Sequence, residues 1–361
     1  MVLNITDKLI DSRSHINDFY KFFDNIMIAY NESKHIICIA PKKVNELLND
    51  DDISEHTKKL LLHYKYHAKP NNLINIKLFF NLIINIVENE EKLYIEDGIE
   101  YRNILYCKFL DTSSIQKTIL LGENSDDIPI YEIFVKYYQS KNNLNSFKII
   151  YTKRGGGGNT INQEYENIYT EGDSFCLCLL DSDKRYPSQT KYGDTAQAVV
   201  DIDKKYKKQN NLNYKIGYYI LQVLELENCL PRDFYLEKYS DKTHIFFKID
   251  QIMQKNTSFR KYFDFKDGIS CKARFDETNN QIICKPYLKD YFCPIIEKEK
   301  FYKEGILLEG FSKKILKDFI SFDSNKLINF IDNDSFISDY CNDLGKYISS
   351  HVLVPQTLRA I

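Results

Sequence analysis

The feature that most constrains this chain is the run FCLCLL at residues 175–180, six uninterrupted apolar residues closed by Asp181-Ser182-Asp183. A strand with one wet face alternates apolar and polar residues, whereas a strand buried on both faces reads as continuous apolar sequence. Three comparable runs accompany it: TILL at 118–121, FKIIY at 147–151 and the stretch 214–223. Helical stretches lie between them, over 128–138 and from Ile161 onward. This cadence predicts parallel strands joined by right-handed helical crossovers, an α/β sandwich.

The flanks read differently. Ile16, Phe19, Phe22, Phe23 and Ile26 recur at helical spacing, and HIICIA at 35–40 predicts a short buried strand. Residues 53–66 and 72–87 predict two further helices, so the N-terminal region is expected to be α-rich. Beyond about Tyr239 the pattern turns helical again, most clearly over 311–320 and 325–331. The expected organisation is an α-rich region at 1–112, an α/β domain at 113–239 and a mostly helical region at 240–361. A chain of 361 residues has ample material for two or three such parts.

Composition excludes several classes. Lys plus Arg is 49 against 51 for Asp plus Glu, a formal net charge of −2, so no uniformly basic coat surrounds the protein. The nine cysteines include no CxxC pair, which leaves zinc ribbons and thioredoxin-type redox motifs without support. Cys176 and Cys178 sit inside an apolar run and read as small buried hydrophobes. The most hydrophobic stretch, 76–87, is interrupted by Lys77, Asn81 and Asn85 and is too short to span a bilayer. The N-terminus acquires charge at once and lacks the apolar core of a signal peptide. A reduced, cytoplasmic protein without membrane association is expected.

Ligand-binding groups of an open parallel sheet gather at the carboxyl ends of its strands. Here Glu123 follows the first run, Gly155, Gly156, Gly157 and Gly158 follow the second, Asp181 and Asp183 the third, and Glu225 and Glu227 the fourth. For each alone a solvated turn is the bland account; for the series a cation site is the better one. Crowded carboxylates repel one another, and a divalent cation relieves the repulsion. All-oxygen ligation suits Mg²⁺ or Mn²⁺. If strands run through these acids, residues two apart face the same way, and both members of each pair reach the site. If the Glu225 segment is helical, only one glutamate does. The glycine run could cradle a phosphate with its backbone amides, and Lys153, Arg154, Lys184 and Arg185 supply positive charge nearby. It is followed by Asn159-Thr160 rather than Lys-Ser, and no GxxxxGK[ST] loop occurs anywhere.

These elements carry a family resemblance. Residues 120–127 (LLGENSDD) resemble the opening strand and glutamate of a Toprim domain. The order continues with FKIIY, the glycine turn and the strand-terminal Asp181-Ser182-Asp183. Over roughly residues 115–235 the chain is similar to the nuclease domain of the overcoming-lysogenization-defect family, without its ATPase. The resemblance implies Asp127 as a further metal ligand, four positions after Glu123. It also implies a later acidic element, matched by Glu225 and Glu227, and a downstream lysine near the scissile phosphate. Lys266 and Lys272 are the candidates for that lysine, with a surface role the alternative in so lysine-rich a chain. The expected activity is nucleic-acid hydrolysis with one or two Mg²⁺ or Mn²⁺ ions held by Glu123, Asp127, Asp181 and Asp183. Expected substrates are DNA or RNA, including tRNA. An anti-phage setting and a separate ATPase or sensor partner are also implied. Two alternatives stand beside it. A haloacid-dehalogenase-like phosphatase also uses Asp-x-Asp at a strand end, but on its first strand. A non-enzymatic module would use the acids for metal-dependent stability or partner binding. His63 and His67, four apart on a helix, lack an HExxH glutamate, and no nucleophile elbow occurs. Tyr and Phe pairs such as Tyr137-Tyr138 could stack bases, but with 27 Tyr and 23 Phe most belong to cores.

Overall fold

The segment LIINIV decides the N-terminal architecture. Four of its six residues, Ile83, Ile84, Ile86 and Val87, are β-branched. Such side chains lose rotamer freedom in a helix and fit a pleated surface. The computed structural model describes residues 1–67, 73–157, 160–270, 274–276, 281–283 and 306–356. In it, the helix expected over 72–87 stops at Leu73–Phe79, and Leu82–Val87 forms a strand. That strand is the middle of a five-stranded sheet, so the helices of the N-terminal region pack around a sheet that the helical reading of 72–87 does not include.

In chain order the strands are β1 (Val2–Ile5), β2 (Ile36–Cys38), β3 (Leu82–Val87), β4 (Lys92–Glu96) and β5 (Ile99–Leu105), arranged β2-β1-β3-β5-β4. The first three pairings are parallel, and β4 returns antiparallel on β5 through Asp97-Gly98. Both turn residues have positive φ, 51° and 75°, the conformation that lets a two-residue hairpin follow the twist of its strands. The helix Phe19–Asn31 packs Phe19, Phe22, Phe23 and Ile26 into one core with Ile37, Ile84, Ile86 and the Leu60-Leu61 pair of the helix Glu55–His67.

The expected α/β character is present in a second sheet. Its elements are β6 (Ile119–Gly122), β8 (Thr152–Gly155), β9 (Cys176–Leu180) and β10 (Ile216–Ile220), in the order β10-β9-β6-β8, and β7 (Phe147–Ile149) lies outside it. β6 and β8 are parallel. β9 and β10 also run together, with Cys176 N–H donating to Lys215 O at 3.2 Å and Leu221 N–H to Leu180 O at 2.9 Å. The second strand is therefore not FKIIY. β7 pairs antiparallel with Leu353–Pro355, and the sheet position belongs to β8, whose four residues TKRG are all exposed. An edge strand needs no apolar faces, so an apolar run does not mark it. Cys176 and Cys178 are fully buried, as expected.

By packing, one compact unit comprises Met1–Cys178, Ile202–Tyr218 and Asn342–Ile361, and the other Leu179–Asp201 and Tyr219–Cys341. The units interleave along the chain, so the expected divisions near 112 and 239 do not delimit them. The second unit is built on an aromatic core in which Phe234, Tyr235, Phe246, Phe263, Phe265, Phe311 and Phe319 are all buried. Tyr235 stacks on Phe265 with ring centroids 4.7 Å apart. The helices Ile315–Ile320 and Ser324–Asn333 lie where the pattern places them. Ile269–Ser270 with Ile306–Leu308, and Arg274–Asp276 with Gln281–Ile283, add two antiparallel strand pairs to the region expected to be mostly helical. Among the described residues no helix is long and apolar enough to cross a membrane.

Candidate functional site: a lysine among carboxylates

β10 ends at Ile220, and the acidic segment beyond it is held by hydrogen bonds rather than by a sheet. Glu225 precedes a short 3₁₀ turn, Leu226–Cys229. Its N–H donates to Asn228 Oδ1 at 3.0 Å, and Asn228 N–H returns to Glu225 O at 3.0 Å. The Asn228 amide nitrogen donates to Arg260 O and Phe263 O, both at 2.8 Å, and Leu224 N–H donates to Lys261 O at 2.8 Å. The Tyr235 hydroxyl, rooted in the aromatic core, donates to Glu227 O at 2.8 Å. The bonds of the Asn228 amide nitrogen and of the Tyr235 hydroxyl are buried, so leaving one of those groups unpaired would be costly.

Lys266 is presented by a turn of its own. Asp264 Oδ1 accepts the N–H groups of Lys266 at 3.0 Å and Asp267 at 2.8 Å. Gly268 follows with φ of 74°, and a Cβ there would lie 2.2 Å from Leu308 O, so both conformation and space require glycine. With Phe265 locked in the core, the Lys266 side chain reaches the acidic segment. Its Nζ stands 2.9 Å from Glu225 Oε2 and 3.2 Å from Glu227 Oε1. The Glu227 side chain is 3% exposed, and its other oxygen, Oε2, is buried without a hydrogen-bond partner among the described residues. Both glutamates thus face one cation although the segment is not a strand.

Asp181 and Asp183 flank the same segment. Asp181 Oδ1 accepts Leu226 N–H at 3.0 Å, and Asp183 N–H donates to Leu224 O at 2.9 Å. Asp183 has φ of 52°, so the strand does not continue through the pair and strand alternation does not align the two. Buried Ser182 between them bonds Val223 O.

Burial dominates the electrostatics. It pushes the Glu225 carboxyl up to about 7; Lys266 pulls the other way, and Glu227 adds to the rise. Burial also raises the Asp183 carboxyl, against the charges of Arg185 and Lys266, with Asp194 reinforcing it. For Lys266, burial works against the charged form, but Glu227, Glu225 and Asp181 outweigh it and hold the ammonium protonated well above the usual lysine range. One positive charge therefore feels four carboxylates.

Glu123 and Asp127 belong to the other unit. Half-buried Glu123 follows β6; burial chiefly, then Cys176 and Glu123, raise the Cys178 thiol. Asp127 Oδ2 accepts Asn124 N–H at 3.2 Å and so caps the turn that opens the helix Ile128–Lys141. The glycine turn serves packing. Gly156 N–H donates to Gly122 O at 2.9 Å, and a Cβ on Gly155 or Gly156 would run into Ser125 or Ile161. Gly157 has positive φ, while Gly158, Asn159 and Lys272 lie outside the described residues. Arg154 Nη1 is 2.9 Å from Glu164 Oε1. A phosphate cradle at this turn would thus have to do without the Gly156 amide and compete for Arg154.

The His63 and His67 rings lie with centroids 4.4 Å apart, tilted by 33°, and His63 Nδ1 is 3.4 Å from the Tyr30 hydroxyl. Among the described residues no three His, Cys, Asp or Glu side chains converge as a metal-ligand group. Tyr137, Tyr138, Phe263 and Phe265 are buried and unavailable for base stacking. The positioning residues Asn228, Tyr235 and Asp264 carry no sequence signal of their own beyond the three-residue spacing of Glu225 and Asn228. Comparison with protein-family models, with curated proteins and with solved structures finds no match.

Proposed function

We propose that the chain is a metal-dependent phosphodiesterase acting on nucleic acid, of the Toprim type that its motif order resembles. The observation that supports this most is the buried Glu227 oxygen without a donor, beside a lysine that four carboxylates share. The donor set is oxygen alone, which fits Mg²⁺ or Mn²⁺, and such an ion would satisfy that acceptor. Glu227, Asp181 and Asp183 are the residues that would hold it, although among the described residues they do not converge as a ligand group by themselves. Whether Glu123 and Asp127 contribute is tested by substitution. When bound, the ion polarises a phosphoryl oxygen and acidifies water.

The chain's own groups suit the rest of the reaction. Glu225, titrating at about 7, takes a proton from the attacking water at neutral pH. The water oxygen bonds to phosphorus as the bond to the leaving sugar oxygen breaks. Lys266, held as ammonium, faces the charge that develops on the phosphate. Exposed Arg185 would meet the nucleic-acid backbone. DNA and RNA, including tRNA, offer the same bond. We further propose an antiviral role under a separate ATPase or sensor, because a free nuclease endangers its host and the chain has no phosphate loop of its own.

A second reading has its own observation: Lys266 already neutralises the glutamates, so the cluster could be a structural ion pair in an interaction module. Purified protein with Mg²⁺ or Mn²⁺, set against plasmid, single-stranded DNA and total RNA, separates the two. Cleavage that disappears in Asp181→Ala supports the nuclease, and its loss in Glu123→Gln would extend the ligand set. No cleavage under any condition, together with no metal-dependent rise in melting temperature, would leave the structural ion pair.

A further inference from the structure

β4 ends the five-stranded sheet and among the described residues pairs only with β5. Its register on β5 is unbroken from Lys92 opposite Asn103 to Glu96 opposite Ile99, and it holds neither a proline nor a bulge. Proline and bulges are two of the devices that keep an edge from recruiting another strand; of the others β4 has a short length and a charge of opposite sign at each end, Lys92 and Glu96. The hairpin is also firm: the Asp97-Gly98 turn fixes one end, and Tyr94 stacks on Tyr101 with centroids 5.0 Å apart. Side chains alternate along the strand, so Leu93 and Ile95 share a face. They are 52% and 71% exposed, an apolar pair that the sheet leaves in water.

The sequence of the strand is self-complementary. Read antiparallel against a copy of itself, Lys92-Leu93-Tyr94-Ile95-Glu96 sets Lys92 opposite Glu96, Leu93 opposite Ile95 and Tyr94 opposite Tyr94. Opposite charges then meet at both ends, and the two apolar pairs form one patch, the arrangement that favours cross-strand pairing. A two-fold interface demands this kind of self-match.

We propose that β4 pairs with β4 of a second copy of this chain about a two-fold axis at Tyr94, joining the two five-stranded sheets into one. A seam of five residues a side falls short of the ~1,600 Å² of a standard interface, so the dimer is reversible and concentration-dependent.

Sedimentation velocity of the full chain over a wide concentration range tests this. Wild type should shift from monomer to dimer as concentration rises. Lys92→Glu and Glu96→Lys place like charges opposite each other and should each stay monomeric. Mixed together they should form a one-to-one heterodimer, and Lys92→Glu/Glu96→Lys should dimerise alone. Both positions are exposed, and an unchanged circular-dichroism spectrum confirms folding. A monomeric wild type at the highest concentration, single variants that dimerise like wild type, or a mixture that stays monomeric would each overturn the proposal. Loss of nuclease activity is not a readout, so the outcome is independent of the proposed chemistry.

Discussion

Replacing Lys266 by Met keeps most of the side chain's length and removes its charge from between Glu225 and Glu227. The two carboxylates are 15% and 3% exposed and cannot both stay ionised without a cation. The alternative is protonation. For a carboxyl with an ordinary value of 4.5, as for Glu225, binding a proton costs about 4.8 kcal/mol at about pH 8 and about 1.4 kcal/mol at about pH 5.5. Wild-type Glu225, already raised to about 7, bears about 3.4 kcal/mol of the alkaline figure itself. Through this carboxyl the variant therefore loses at most about 1.4 kcal/mol more at about pH 8 and almost nothing at about pH 5.5. Both are ceilings, because the Lys266 side chain is 32% exposed and water can enter where it stood. The sign follows from linkage. In the variant the folded Glu225 carboxyl sits above its unfolded value. Stability is thus kept below the unfolded value and lost as pH rises through the folded one. Urea unfolding at constant ionic strength should show little loss near pH 5.5 and one of about 1 kcal/mol near pH 8. Lys266→Met/Glu225→Gln should recover most of the alkaline loss. An equal loss at both pH values, or no loss near pH 8, would refute the shared-charge account.

Three further outcomes follow from the same geometry. Glu225→Gln should match wild type near pH 4.5 and melt above it once pH passes about 7, since the raised Glu225 carboxyl favours the fold only while protonated; parallel melting profiles would contradict this. In chelator, Asp181→Asn should melt at or above wild type, because the amide oxygen can still accept Leu226 N–H. At a hundred times Kd, Mg²⁺ should add about 2.7 kcal/mol to wild type and less to the variant; equal shifts would remove Asp181 from the ligand set. Arg260→Met takes a buried guanidinium from half-buried Asp334, which it meets at 2.8 Å and which keeps the N–H groups of Arg232 and Phe336; it should cost up to about 3–5 kcal/mol by urea unfolding, with a loss under about 1 kcal/mol refuting that role.

What the sequence by itself determined is what neighbouring residues decide together. FCLCLL could only be a strand covered on both faces, and β9 is fully buried; the helix Phe19–Asn31 declares itself by the spacing of its phenylalanines. The β-branched content of Leu82–Val87 is a local strand signal too, and it outweighs the helical spacing over 72–87. Tertiary structure decided what depends on distant partners. β8 is a sheet strand because β6 lies beside it, although its TKRG sequence is wholly polar or glycine. FKIIY is apolar because β7 pairs with Leu353–Pro355 near the other end of the chain. Lys266 looks like one lysine among many until the aromatic core and the Asp264 turn set its ammonium between Glu225 and Glu227. Periodicity records the environment of a face, but a charge pair is recorded only by the fold that closes the chain between its members.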